Sequence, residues 1–333
     1  MKIPTFKPAW TFLFLIFIAL ILLNLKTGTV NIPFKAWLHI LQPDDPSPLF
    51  KEIILQFRLP KTITSILAGG ALAISGLFMQ TFFRNPLAGP DVLGLSSGAS
   101  LAVSFIYMSN VPLLFAFGDW LLAGTASLGC ALVFFIVILA AKRTRNNVSL
   151  LIIGLMIGAI TSSLVSILQL VSRAEEQKAF LLWTFGNVGN LNWDEIKVVA
   201  ALTLIGSGVA TTLSKPLNGW LLGDNYAQSL GINLKKARFS ILVTASLLTG
   251  TITAFCGPIA FVGLAVPHLV KLVVPTTDHK KLIPLCFITG SSLLLLCDTL
   301  SQLPGNGLVL PLNAITAMVG APVVIWVVLK GKQ

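Results

Sequence analysis

The sequence predicts an all-α polytopic membrane protein of about ten transmembrane helices. Three observations predict it. Of 333 residues, 55% are hydrophobic and only 11% are charged, with mean hydropathy +0.88. A soluble domain is about a quarter charged. Several apolar runs approach or exceed the ~20 residues that cross a bilayer as a helix. Lysine and arginine, finally, divide unevenly between alternate loops. The net charge of +11 therefore reads as a topology signal. No basic patch interleaved with aromatics points to nucleic acid.

The apolar runs read as spans at residues 11–25, 62–83, 92–107, 113–141, 148–171, 196–213, 239–256, 259–274, 282–297 and 308–329. The N-terminal stretch has the basic start and apolar core of a signal peptide. The core is long and no small-x-small cleavage site follows, so it reads as the first span. Residues 239–274 are nearly continuous but too long for one crossing, and Gly257-Pro258 supplies the break. With ten spans, the side of the termini collects fifteen Lys and Arg (among them Lys2, Arg84, Arg145, Lys236, Lys271 and Lys332) against eight on the other. Acids run the other way, three against nine. Both termini are expected on the cytoplasmic side.

No soluble domain interrupts the spans, so residues 1–333 read as a single membrane domain. The longest loops are 26–61 and 172–195 outside and 214–238 inside. Cys130, Cys256, Cys286 and Cys297 all lie in apolar segments without a CxxC pair and read as small hydrophobes. The three histidines are too scattered for a metal site. No GxxxxGK[S/T] loop occurs, so ATP, if used, must be bound by another chain.

Four stretches carry meaning. In "SKPLNGWLLGDNYAQSLGINLKKAR", Pro216 suits a helix start, Gly223 a stop, Asp224 a cap and Gly231 a left-handed end. Two short amphipathic helices follow, which either lie on lipid or dock a soluble partner. In "RLPKTITSILAGGALAISGLFMQTFFRNPLAGPDVLGLSSGAS", a small-residue helix allows close backbone approach. It is then broken at Asn85-Pro86 and Gly89-Pro90. Such a break is tolerated only in a turn, against protein, or lining a watery pathway. "GLSSG" fits the G-x-S-x-G nucleophile elbow, but its expected context is helical on both sides and His268 has no acid partner. "GPIAFVGLAVPHLVKL" reads as a kinked helix with His268 near its end. Asp119 and Asp298 lie towards span ends. The lack of central ionisable groups argues against proton or sodium coupling.

These stretches, with "LNAITAMVGAPVVIWVVL", occur in an order that resembles the FecCD family of importer permeases for iron-siderophores, haem and vitamin B12. The resemblance covers nearly the whole chain. It implies a vitamin B12-permease-like (type II ABC importer) fold in the cytoplasmic (inner) membrane of a bacterium. It implies a dimer with the path at its interface, homodimer over heterodimer. Two ATP-binding subunits would dock below and a periplasmic or lipid-anchored substrate-binding protein above. It also implies no catalysis and no cofactor on this chain, with ATP on the partner. Residues 214–238 would be the ATPase-coupling helices, through Leu217, Leu221, Gly223, Asp224, Ala227, Leu230 and Gly231. Arg58 and Lys61 would face the binding protein, and Asn85, Leu87, Thr161 and Ser162 would form gate and path. Lys61 and Lys271 stand where the family has Arg and lose the bidentate fork. "SQLPGNGLVLPLN" lacks the family's Glu and Arg, which weakens one docking contact. The competing reading is a secondary transporter or channel acting without an ATPase.

Overall fold

The computed structural model describes residues 6–28, 30, 32–33, 48–108, 118–144, 147–304 and 308–330. Every regular element among them is helical. Helix α1 is Phe6–Lys26. Helix α2, Pro48–Ile53, runs through a π-helical turn, Ile54–Arg58, into α3, Leu59–Phe83. A 3-10 turn, Pro90–Leu93, leads to α4, Leu95–Met108, then α5, Gly118–Arg143, and α6, Asn147–Val171. Next come α7, Ala174–Thr184, α8, Trp193–Thr212, and the short α9, Ser214–Leu221, and α10, Asp224–Ser229. The chain finishes with α11, Leu234–Cys256, α12, Val262–Val273, α13, His279–Ser301, and α14, Leu312–Lys330. Among the described residues, seven helical segments are long and apolar enough to cross a membrane. Three shorter apolar ones, in α4, α12 and α14, fill the places of the remaining predicted spans.

Helix α3 is the axis of the fold. From Leu67 to Phe83 every residue is buried, with α11, α12 and α13 packed round it. Its small residues make this possible. A Cβ on Gly76 would lie 1.7 Å from Gly263 O of α12, and one on Gly69 2.3 Å from Gly290 O of α13. Without a hydrophobic drive between helices in lipid, such backbone contact is what holds them. Ser75 adds polar glue across α11, 2.9 Å from Ala245 O and 2.7 Å from Thr249 Oγ1. Helix α6 is the opposite case. Leu155, Met156, Ile160, Leu164, Ile167 and Leu170 all face outwards from it.

Several sequence expectations are corrected. The second span does not start at Thr62, because helix runs unbroken from Pro48. Leu59 N–H bonds Ile54 O in the π turn, which admits Pro60 with its missing donor. The 26–61 loop is accordingly shorter, and Arg58 and Lys61 are helical. The 172–195 loop contains α7. Asp224 does not cap α10; it is the first residue, and Gly223, at φ 101°, holds the cap position. Pro216 is the third residue of α9 rather than its first. Residues 92–94 belong to the 3-10 turn and its cap, and α4 starts at Leu95. The break at Gly257 is as expected: α11 stops there, at φ 72°. Gly231 does take the left-handed conformation, at φ 77°. Leu113, and Lys2, Arg145 and Lys332 of the charge tally, lie outside the described residues.

Candidate functional site

The last turn of α3 is a junction. Helix α3 closes in a Schellman arrangement, with Asn85 N donating to Gln80 O (3.1 Å) and Arg84 N to Thr81 O (3.2 Å). The left-handed position, normally glycine, is Arg84 at φ 47°. The chain then turns. Leu87 N donates to Asn85 Oδ1 (2.9 Å), and Ala88 N to Asn85 O (3.1 Å). Helix α12 grips this turn from one side: His268 Nε2 donates to Pro86 O (2.7 Å) and Gln80 Nε2 to Leu264 O (3.0 Å). Leu87 remains exposed.

Short helices α9 and α10 grip the junction from the other side. Trp220 of α9 stacks on Phe82 at 5.4 Å, and its Nε1 donates to Phe82 O (3.2 Å). Asn147 at the start of α6 donates to the same carbonyl (2.8 Å). The Arg238 guanidinium of α11 lies 5.7 Å over the Phe82 ring. Arg84 Nη2 donates to Trp220 O (2.9 Å) and pairs with Asp224 Oδ1 (2.6 Å). A third link runs through Asn218 of α9. Its amide donates to Asp278 Oδ1 (2.9 Å), and its oxygen accepts from His279 Nδ1 (2.7 Å). His279 Nε2 lies 2.8 Å from Thr81 Oγ1 of α3. The Asn218 and Lys280 N–H donors hold the Asp278 carboxyl below the usual carboxylate range.

Helices α9 and α10 are two-faced. Leu217, Trp220 and Ala227 are buried against the bundle, while Leu221, Leu222, Tyr226 and Leu230 are exposed.

A second polar cluster lies at the opposite end of α3. Lys61 Nζ pairs with Asp298 Oδ2 of α13 at 3.1 Å, both nearly buried. Asn24 of α1 donates to the same oxygen (2.7 Å) and accepts from Thr62 (2.7 Å). Arg58 is buried and donates to Leu25 O (2.8 Å), Lys26 O (2.7 Å) and Val30 O. Nearby a cavity of about 570 Å³ is lined by Trp183, Asn187, Glu195, Asp298 and Leu310. Asn313 of α14 ties its rim together. It donates to Thr184 O (2.8 Å) and Pro258 O (2.7 Å) and accepts from Ala260 N (2.9 Å).

The FecCD transport family matches residues 15–330. The chain belongs to the FecCD transport family. Among its relatives in that family, the hemin transport system permease protein HmuU of Yersinia pestis is 32% identical over 325 residues, covering 97% of this chain and 95% of that one. The vitamin B12 import system permease protein BtuC of Klebsiella pneumoniae is 33% identical over 324 residues, covering 97% and 94%. A solved structure described as a metal-chelate type ABC transporter, inward-facing, superposes with TM-score 0.84 at 26% identity, over 98% of this chain and 99% of that one. The FecCD fold expected from the resemblance is therefore the observed one.

In this FecCD chain the expected site residues separate into groups. Asn85 and Leu87 share one turn. Thr161 and Ser162 lie mid-way along α6, about 21 Å from the Asn147 end at 1.5 Å per residue, so the structure does not bring the two pairs together. Thr161 is buried and bonds Ile157 O (2.9 Å) of its own helix; Ser162 is exposed. Of the seven residues expected in the coupling helices, Leu217 and Ala227 face the bundle and Leu221 and Leu230 face out. Gly223 and Gly231 set the turns, and Asp224 holds Arg84. Around the "GLSSG" motif the 3-10 turn replaces the strand a nucleophile elbow needs, and Ser96 is bonded to Asp91. Sequence reasoning missed Asn24, Asn313 and the Arg84 contacts. A lone Asn inside "LILLNLK" was a signal for the first; an intramembrane polar residue wants a partner.

Proposed function

We propose that this chain is the membrane-spanning permease subunit of an ATP-driven importer for a bulky metal chelate, with iron-siderophore or haem favoured over cobalamin. It works by alternating access in the cytoplasmic membrane of a bacterium, with both termini in the cytoplasm. The whole chain is one permease domain. It carries out no bond chemistry and binds no cofactor, and ATP is held by two copies of a partner subunit.

The observation that carries this reading is the two-faced pair α9 and α10. One face is locked to the end of α3, and the other presents Leu221, Leu222, Tyr226 and Leu230 to solvent. An apolar patch rimmed by polar residues marks an interaction surface. The likeness to a metal-chelate type ABC transporter supports an ATPase as its occupant, with residues 214–238 as the coupling helices in this reading. Two copies of the chain pack about the exposed face of α6, where Ser162 and Ser166 interrupt an apolar surface, and the path runs between them past Thr161. The turn at Asn85 and Leu87 is the inner gate. The binding protein, periplasmic or lipid-anchored, docks at the Arg58 and Lys61 end. There the two cations are already bonded within the fold, so their part is to fix the surface that the partner meets.

The test is gentle purification of the tagged chain from its native membrane. An ATP-binding subunit should accompany it at equal stoichiometry and be lost when Leu221 and Leu230 are both changed to Asp. A chain that purifies without an ATPase would overturn the reading.

A further inference from the structure

We propose that Arg84 is a positioning residue, and that the Arg84–Asp224 pair is the strap through which α9 and α10 move the turn at residues 85–88. This rests on the coupling role given above to those two helices. Three observations carry it.

Arg84 is the residue directly before Asn85, so any displacement of its backbone is delivered to the turn. It occupies a left-handed position at φ 47°, where glycine costs least and any residue with a Cβ is strained. That strain persists only where the surroundings over-determine it. What they supply is on the side chain: Nε and Nη2 reach Trp220 O at 3.3 and 2.9 Å, and Nη2 reaches Asp224 Oδ1 at 2.6 Å. One guanidinium thus ties the end of α9 and the first turn of α10. A cation is also favoured at the C-terminus of α9 by the helix dipole.

The remaining links between α9 and α3 do not reach the turn. Trp220 bonds and stacks on Phe82, and Asn218 works through His279 to Thr81; they hold the helix two and three residues before its cap at Arg84. On its far side the turn is held by His268 of α12 through Pro86 O. The turn therefore sits between α12 and the strap, and among the described residues only the strap's hydrogen bonds lead from it to the coupling helices. Both charged side chains are half-exposed. An exposed pair adds little to folding stability, so altering it disturbs the connection more than the fold.

The experiment uses the assembled complex in nanodiscs. Hydrogen exchange of the amides at 85–94 is followed with and without ATP plus vanadate, normalised to the ATPase subunit that co-purifies in each sample. In the unaltered chain, exchange should respond to nucleotide. In Arg84→Glu, and separately in Asp224→Arg, that response should fall at least about fivefold, the low end of ordinary coupling energies. The R84E/D224R double variant should recover it, which a merely structural defect would not. Arg84→Gln, neutral and of similar length, repeats the test without setting two acids face to face. An R84E or R84Q response equal to that of the unaltered chain overturns the strap. So does a double variant that assembles with its ATPase yet stays unresponsive. A different result, an unaltered chain that holds no ATPase at all, would remove the coupling reading itself and the strap with it.

Discussion

Helices α3 and α6 have the same length, 25 residues each, and opposite fates. In an apolar 18-residue stretch of the span containing α3, 89% of the residues are buried within the chain; in the corresponding stretch of α6 only 17% are. Both are apolar. What differs is the size of their side chains. Helix α3 has glycine, alanine and serine where α11, α12 and α13 cross it, so backbones meet directly. Helix α6 has leucine, isoleucine and methionine on a face that none of the described residues covers. In a membrane, small residues choose protein neighbours and large ones serve lipid or a second copy equally well. The comparison assigns α3 to the frame and leaves the outward face of α6 to lipid or a second copy.

The largest effect should come from breaking the frame. Gly76→Ala places a Cβ 1.7 Å from Gly263 O, and no flexible side chain is there to yield. Overpacking of this kind costs about 3 kcal/mol or more, and size-exclusion of the extracted protein should show little monodisperse material. Gly158→Ala on α6 meets only Ser97 Oγ at 3.4 Å. It should be neutral, or stabilising by up to ~1 kcal/mol through lost glycine entropy. Equal behaviour of the two variants would break the comparison.

Next in size is Asp298→Asn, which strands Lys61 of α3 in a nearly buried site. Removing one partner of a buried pair costs about 3 kcal/mol. The thermal unfolding midpoint should fall sharply, and recover part-way when Lys61→Met removes the orphaned charge as well.

The smallest effect on the chain itself should come from Ile160→Ala with Leu164→Ala on the exposed face of α6. Surface changes of this kind stay within ~0.5 kcal/mol per site. Cross-linking between copies should nonetheless drop if this face meets a second chain. Unchanged cross-linking would give the face to lipid and sharpen the comparison differently.

The frame was legible in the sequence, and the neighbour of α6's outward face was not. "AGGALAISG" announces close packing wherever it falls in a lipid-spanning helix. "LLIIGLMIGAITSSL" is apolar on every side, and lipid and protein neighbours leave the same pattern. Local turn chemistry was readable too: Gly231 adopts the left-handed φ expected of it, and the helix breaks at Gly257 as Pro258 demanded. Arg58 fell within the expected 26–61 loop, whereas a π turn carries the helix through it into Pro60. The Arg84–Asp224 pair spans 140 residues of chain, and no spacing rule reaches that far. Asp224 looked like a cap because a short polar residue beside glycine usually is one. Its carboxylate had a better partner in the guanidinium.

The central claim is that this permease moves its cargo only when a partner burns ATP. The direct test is uptake into liposomes that carry the purified complex, with haem as the probe and ATP available on the α9–α10 side. The account predicts uptake that requires ATP and stops with vanadate. Uptake by the chain alone, driven by a proton or sodium gradient without nucleotide, would contradict it and make this a secondary carrier.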